Sequence, residues 1–172
     1  AIVMGKTNLP RWSGDIQAYN EMFGTTNNPW DLERVPGGSS GGAAAAVAMG
    51  FTSFEIGTDI GGSIRFPAAF NGVWGHKPSF GLIPTTGYLD YENGGLNEAD
   101  INVFGPIARS ASDLDLLLSL MVRSKKPWVV QLSDPPSALR KSHIGSWLSD
   151  AFCPAHADAL VPVDTPVSPF AP

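Results

Sequence analysis

Residues 37–49 read Gly-Gly-Ser-Ser-Gly-Gly and then, without a break, Ala-Ala-Ala-Ala-Val-Ala-Met. Glycines without a Cβ admit turns and close backbone approaches that other residues forbid. The alanines combine the best helix propensity with almost no side-chain bulk. Together they predict a glycine-rich loop opening a helix that packs closely on its neighbours, with Gly50 as its C-terminal cap. A flexible linker does not usually feed such a helix. A phosphate loop would need Gly-Lys-Ser/Thr, and no lysine follows here. Gly38-Ser39-Ser40-Gly41-Gly42 also fits the G-x-S-x-G pattern, with Ser40 at the centre, but that elbow needs a hydrophobic strand before it. Pro29 to Pro36 cannot supply one.

A second cluster has better context for a nucleophile. Phe51 to Ile56 reads as an apolar strand, Gly57 to Ser63 as the turn leaving it, and Ile64 to Phe70 as a short helix tolerating Pro67 in its first turn. Successive backbone N–H groups before Ser63 suit an oxyanion, each such donor contributing about 2.7–4 kcal/mol in a transition state. Asp59 and Arg65 bracket the turn with opposite charges that can pin it. The competing reading is a structural turn with a capping serine. A nucleophilic serine also needs a base. His76, His143, His156, Lys6 and Lys77 are the candidates, and spacing assigns the role to none of them.

The rest of the chain bounds the class. Charged residues are 16%, against roughly 25% in an average domain, while hydrophobic residues reach 43% and there are 19 glycines and 15 prolines. Such a chain is loop-rich but has enough apolar side chains for a core. A net charge of −5 with scattered basic residues excludes a nucleic-acid or anionic-membrane surface. No apolar run approaches the ~20 residues of a spanning helix. One cysteine, Cys153, rules out an internal disulfide and fits a reducing, cytoplasmic setting. Ile2-Val3-Met4 reads as a short buried strand, and Lys6 to Pro36 as a long irregular stretch of the kind that serves a site. In that stretch Trp12, Tyr19, Phe23 and Trp30 suit either core or pocket wall. Ser110 with Asp113 forms a capping box, with Leu114, Leu117, Leu118 and Met121 as the core stripe of the helix it opens. Beyond Arg123 a strand at His143 to Trp147 and a proline-rich tail are expected.

Pro36-Gly37-Gly38-Ser39-Ser40-Gly41-Gly42 and Gly57-Thr58-Asp59-Ile60-Gly61-Gly62-Ser63-Ile64-Arg65-Phe66-Pro67 together resemble the amidase signature family. Gly5-Lys6-Thr7-Asn8, Asn27-Asn28-Pro29-Trp30, Gly75-His76-Lys77-Pro78 and Gly105-Pro106-Ile107-Ala108-Arg109-Ser110 extend the match. The resemblance implies an α/β fold with a mixed β-sheet core flanked by helices, here incomplete at both ends. Residues 1–150 would be a partial signature domain and residues 151–172 its Pro-rich continuation. It further implies amide hydrolysis by a Ser–Ser–Lys triad. Ser63 matches the nucleophile and Ser39 the bridging serine, joined to Gly38 by a cis peptide bond. Ile60, Gly61, Gly62 and Ser63 match the oxyanion hole, and Ser40, Thr58, Asp59 and Arg65 its supporting shell. Lys6 does not match the triad lysine, which the family carries well upstream, so these 172 residues alone are expected to be inactive. The expected ligand is a small-molecule amide, with no metal or organic cofactor, and the full-length protein is a candidate homodimer. Two alternatives stand beside the amidase. One is the family's glutamine-hydrolysing amidotransferase subunit, which typically has Thr and Gln where this chain has Ile60 and Phe66. The other is a non-catalytic scaffold.

Overall fold

The alanine run forms the predicted helix. In the computed structural model, which describes residues 2–88 and 100–122, α1 spans Gly41–Ala48 and ends in Gly50 at φ 73°. Ala43, Ala44 and Val47 pack with Ile64 and Ile107 as the core, with Val73 against it. The glycines before α1 are there for close approach. A Cβ on Gly42 would fall on the backbone of Asn8, and one on Gly38 would fall on Asp15 and Ile16.

The stretch before that loop is held by side-chain amides more than by regular structure. It contains a 3-10 turn at Arg11–Ser13 and a two-residue hairpin of β1 (Tyr19–Asn20) and β2 (Gly24–Thr25). The Asn8 amide donates to the Ala18 and Gly24 carbonyls at 3.2 and 3.1 Å, and the Trp30 indole to the Asn71 carbonyl at 2.8 Å. Short polar side chains bonding to backbone in this way replace a ladder. Trp12, Tyr19, Phe23 and Trp30 are exposed, so none is core. Ile2-Val3-Met4 is also corrected: it forms no strand and all three side chains are exposed.

The sheet that carries the second cluster has the order β3-β5-β4 and is antiparallel throughout, with β3 at Phe54–Asp59, β4 at Trp74–Gly75 and β5 at Val103–Ala108. Pairing with β5 runs from Phe54↔Ala108 to Asp59↔Val103, so Gly57, Thr58 and Asp59 belong to the strand and not to the turn. Pro106 hides the central strand from sequence reading, because proline lacks a ladder donor and is normally confined to edges. Its carbonyl accepts the His76 N–H at 3.0 Å, so its missing donor faces the side on which β4 has already ended at Gly75.

Alternation places Gly57, Asp59, Gly105 and Ile107 on one face and Ile56 and Phe104 on the other. Helices α1 and α2 (Arg65–Asn71) cover the first face. On the second, Ile56 and Phe104 share an open apolar cavity with Leu120 and Met121 of α3 (Ala111–Met121). Half of the expected capping box is present: the Ser110 hydroxyl accepts the Asp113 N–H at 3.1 Å, while the Asp113 carboxylate accepts the Ser110 hydroxyl at 2.7 Å and not its backbone N–H. Leu117 and Leu118 are buried, while Leu114 and Met121 are half-buried. The expected strand at 143–147, Cys153, the proline tail and the boundary at residue 150 lie outside the described residues. Among the described residues no helix is long and apolar enough to cross a membrane.

Candidate active site

Strand β3 ends by carrying Asp59 into a fully buried position at the mouth of the Gly-Gly-Ser turn. Its carboxylate accepts the backbone N–H groups of Gly62 at 2.8 Å, Ile64 at 3.1 Å and Arg65 at 3.4 Å. The Arg65 guanidinium closes the shell, with Nε at 3.0 Å from one oxygen and Nη2 at 2.9 Å from the other. The pin expected between these two charges is therefore present, and it holds the turn mostly through backbone.

Burial pushes the Asp59 carboxyl up, but the Arg65 side chain and the Ile64, Gly62 and Arg65 N–H groups outweigh it and hold the pKa below the ordinary range. A carboxyl lowered on folding stabilises the native state fully above its unfolded pKa of about 3.9, and that contribution is lost as pH falls through the folded value. We expect urea midpoints to fall on acidification below about pH 4, and Asp59→Asn to remove this group's share of that acid limb.

The two serine clusters meet through Ser40. Its N–H donates to the Ser63 carbonyl at 3.1 Å, and its hydroxyl accepts the Thr58 N–H at 3.3 Å and donates to the Thr58 carbonyl at 3.4 Å. The loop before α1 is thus fastened to the outer edge of β3 and to the turn. The Gly38–Ser39 peptide is cis. Ser39 is buried and Ser63 half-buried, and neither hydroxyl has a hydrogen-bond partner among the described residues.

The expected ring of donors is reduced by one. The Gly62 N–H is taken by Asp59, whereas those of Ile60, Gly61 and Ser63 donate to no described residue. The signal was legible: an aspartate ahead of a Gly-Gly turn commonly accepts N–H groups of the following residues. Of the base candidates, Lys6 is exposed and the Lys77 ammonium donates to the Pro78 carbonyl at 3.4 Å. His76 uses its backbone N–H to extend the sheet at Pro106. His143 and His156 lie outside the described residues.

A family model described as Amidase matches residues 1–159. The chain belongs to the amidase signature family. As an amidase-family chain it is 46% identical over 121 residues to the A subunit of the glutamyl-tRNA(Gln) amidotransferase from Saccharolobus solfataricus, an alignment covering 70% of this chain and 24% of that protein. The crystal structure of the same-named subunit from Thermotoga maritima superposes with a TM-score of 0.62 at 38% identity, over 72% of this chain and 26% of that one. A bacterial aryl acylamidase of the amidase signature family gives 0.61 at 38% identity, over 69% and 23%. This amidase-family chain spans about a quarter of the length of the curated relatives it matches. The expected α/β fold is borne out by these neighbours.

Proposed function

We propose that the protein cleaves an amide C–N bond through an acyl ester on Ser63. The Ser63 hydroxyl attacks the amide carbonyl, and its proton passes through Ser39 to a lysine base that is not among the described residues. The tetrahedral oxyanion accepts N–H groups from Ile60, Gly61 and Ser63. The amine leaves with the proton, and water then attacks the ester to release the acid and restore Ser63. The observation that carries this reading is the Ser40 fastening, which binds the segment bearing Ser39 to the Ser63 carbonyl while three neighbouring N–H groups stay unspent.

The relatives at 46% identity favour a second reading within the same chemistry, in which glutamine supplies the amide and a partner subunit receives the ammonia. Ile60 and Phe66 favour the free-standing amidase, because the amidotransferase pattern has Thr and Gln there. The test is to offer the complete protein aryl amides, alkyl amides and glutamine with hydroxylamine present. Hydroxamates formed from simple amides are expected. Turnover of glutamine alone, rising with a partner subunit, would support the second reading. No hydroxamate from any amide with folded protein would leave the scaffold.

A further inference from the structure

Ile64 is fully buried directly after Ser63, and three strands present it with glycines. A Cβ on Gly57 of β3 would lie 3.0 Å from Ile64 Cγ1, one on Gly105 of β5 3.0 Å from Cδ1, and one on Gly75 of β4 2.8 Å from Cγ2. Gly57 and Gly105 are register partners, and Gly75 pairs with Ile107 two residues further along β5. The sheet is therefore bare backbone under this one side chain. The Cγ1–Cδ1 arm lies over β3 and β5 and Cγ2 over β4, at separations tighter than most Cβ-bearing neighbours show; Ser40, Ala68 and the His76 carbonyl crowd the same three glycines. An isolated glycine in a strand often marks such an approach. Three converging on one β-branched residue form a socket with a shape and not merely an apolar hole.

The same residue is tied at its backbone. The peptide unit joining Ser63 to Ile64 has its carbonyl on the Ser40 N–H at 3.1 Å and its N–H on the Asp59 carboxylate at 3.1 Å. Those two bonds fix the orientation of the peptide plane. The depth of the Ile64 side chain in the socket adds a third anchor to the same unit. Consecutive Cα atoms are about 3.8 Å apart, so that depth carries directly to Ser63.

We infer that Ile64 is a positioning residue, and that its fit to the Gly57–Gly75–Gly105 socket sets where the Ser63 hydroxyl stands. This rests on the proposed nucleophilic role of Ser63. Leucine keeps the volume of isoleucine but lacks Cγ2, so it leaves the Gly75 contact empty. Valine keeps both Cγ atoms and with them the Gly57 and Gly75 contacts; it loses only Cδ1 over Gly105, where the His76 carbonyl and Pro78 are the nearer neighbours. A side chain serving burial alone tolerates the two changes about equally, whereas a shaped peg discriminates between them.

The experiment compares Ile64→Leu and Ile64→Val in the complete protein, reading kcat, KM and the rate of fluorophosphonate capture by Ser63 per folded molecule. Ile64→Leu should lower kcat and the capture rate about ten- to a hundred-fold with little change in KM, as a misplaced reacting group does. Ile64→Val should stay close to wild type in both. If Ile64→Leu does not fold, Gly75→Ala crowds Ile64 Cγ2 from the sheet side, together with the Ala68 methyl, and should slow capture likewise. Wild-type capture with Ile64→Leu unimpaired, or with Ile64→Val slowed as much as Ile64→Leu, overturns this inference alone. A wild-type protein that takes no label at Ser63 overturns the proposed function and this inference with it.

Discussion

Ser63→Ala in the complete protein is expected to lower amide hydrolysis about 10⁴- to 10⁶-fold, the scale seen when a serine nucleophile is removed from an intact site. The loss should fall on kcat, because the oxyanion donors at Ile60, Gly61 and Ser63 are backbone groups that survive the substitution. Stability should hardly change, since the Ser63 hydroxyl bonds to no described residue. Ser40→Ala separates the two functions of the clusters. Its hydroxyl is engaged with both polar groups of Thr58, so a cost of about 1–3 kcal/mol in stability is expected from the orphaned backbone. A Ser40→Ala enzyme as dead as Ser63→Ala, with its fold intact, would move the nucleophile to the first cluster and undo the assignment.

Asp59→Ala is expected to cost about 2–6 kcal/mol, read as a fall in the urea midpoint. The larger part of that figure is backbone. Gly62 and Ile64 lie buried and would lose their acceptor, and each unsatisfied buried donor costs about 1–3 kcal/mol. The Arg65 side chain is about half exposed and regains water when its partner goes. Arg65→Ala should therefore cost clearly less than Asp59→Ala, because the carboxylate keeps its three N–H donors. Equal losses for the two variants would show that the ion pair, not the captured backbone, holds the turn.

The sequence disclosed these features unevenly, and for physical reasons. The alanine helix, the Ser110 cap on the Asp113 N–H and the Asp59–Arg65 pin are local, set by residues within a turn or two of each other, and all three form. Strand β5 stays hidden because Pro106 contradicts a central strand until the early end of β4 is known. Ile2-Val3-Met4 misleads because three apolar residues carry no periodicity, and nothing among the described residues covers them. Counting N–H groups without asking which ones Asp59 claims overstates the donor ring by Gly62. The glycine socket under Ile64 depends on strand register, which joins residues 57, 75 and 105, and no short motif contains all three.

The central claim, that one hydroxyl in this turn is the attacking group, is tested most directly by mapping a covalent trap. A fluorophosphonate gives up fluoride as the serine oxygen bonds to phosphorus, leaving a phosphonate ester that survives digestion and mass spectrometry. The expected result with the complete protein is a single modified peptide carrying the ester on Ser63, absent in Ser63→Ala and formed far more slowly in Ser39→Ala. An ester mapped to Ser40 or to another residue, or capture undiminished by Ser63→Ala, would contradict it.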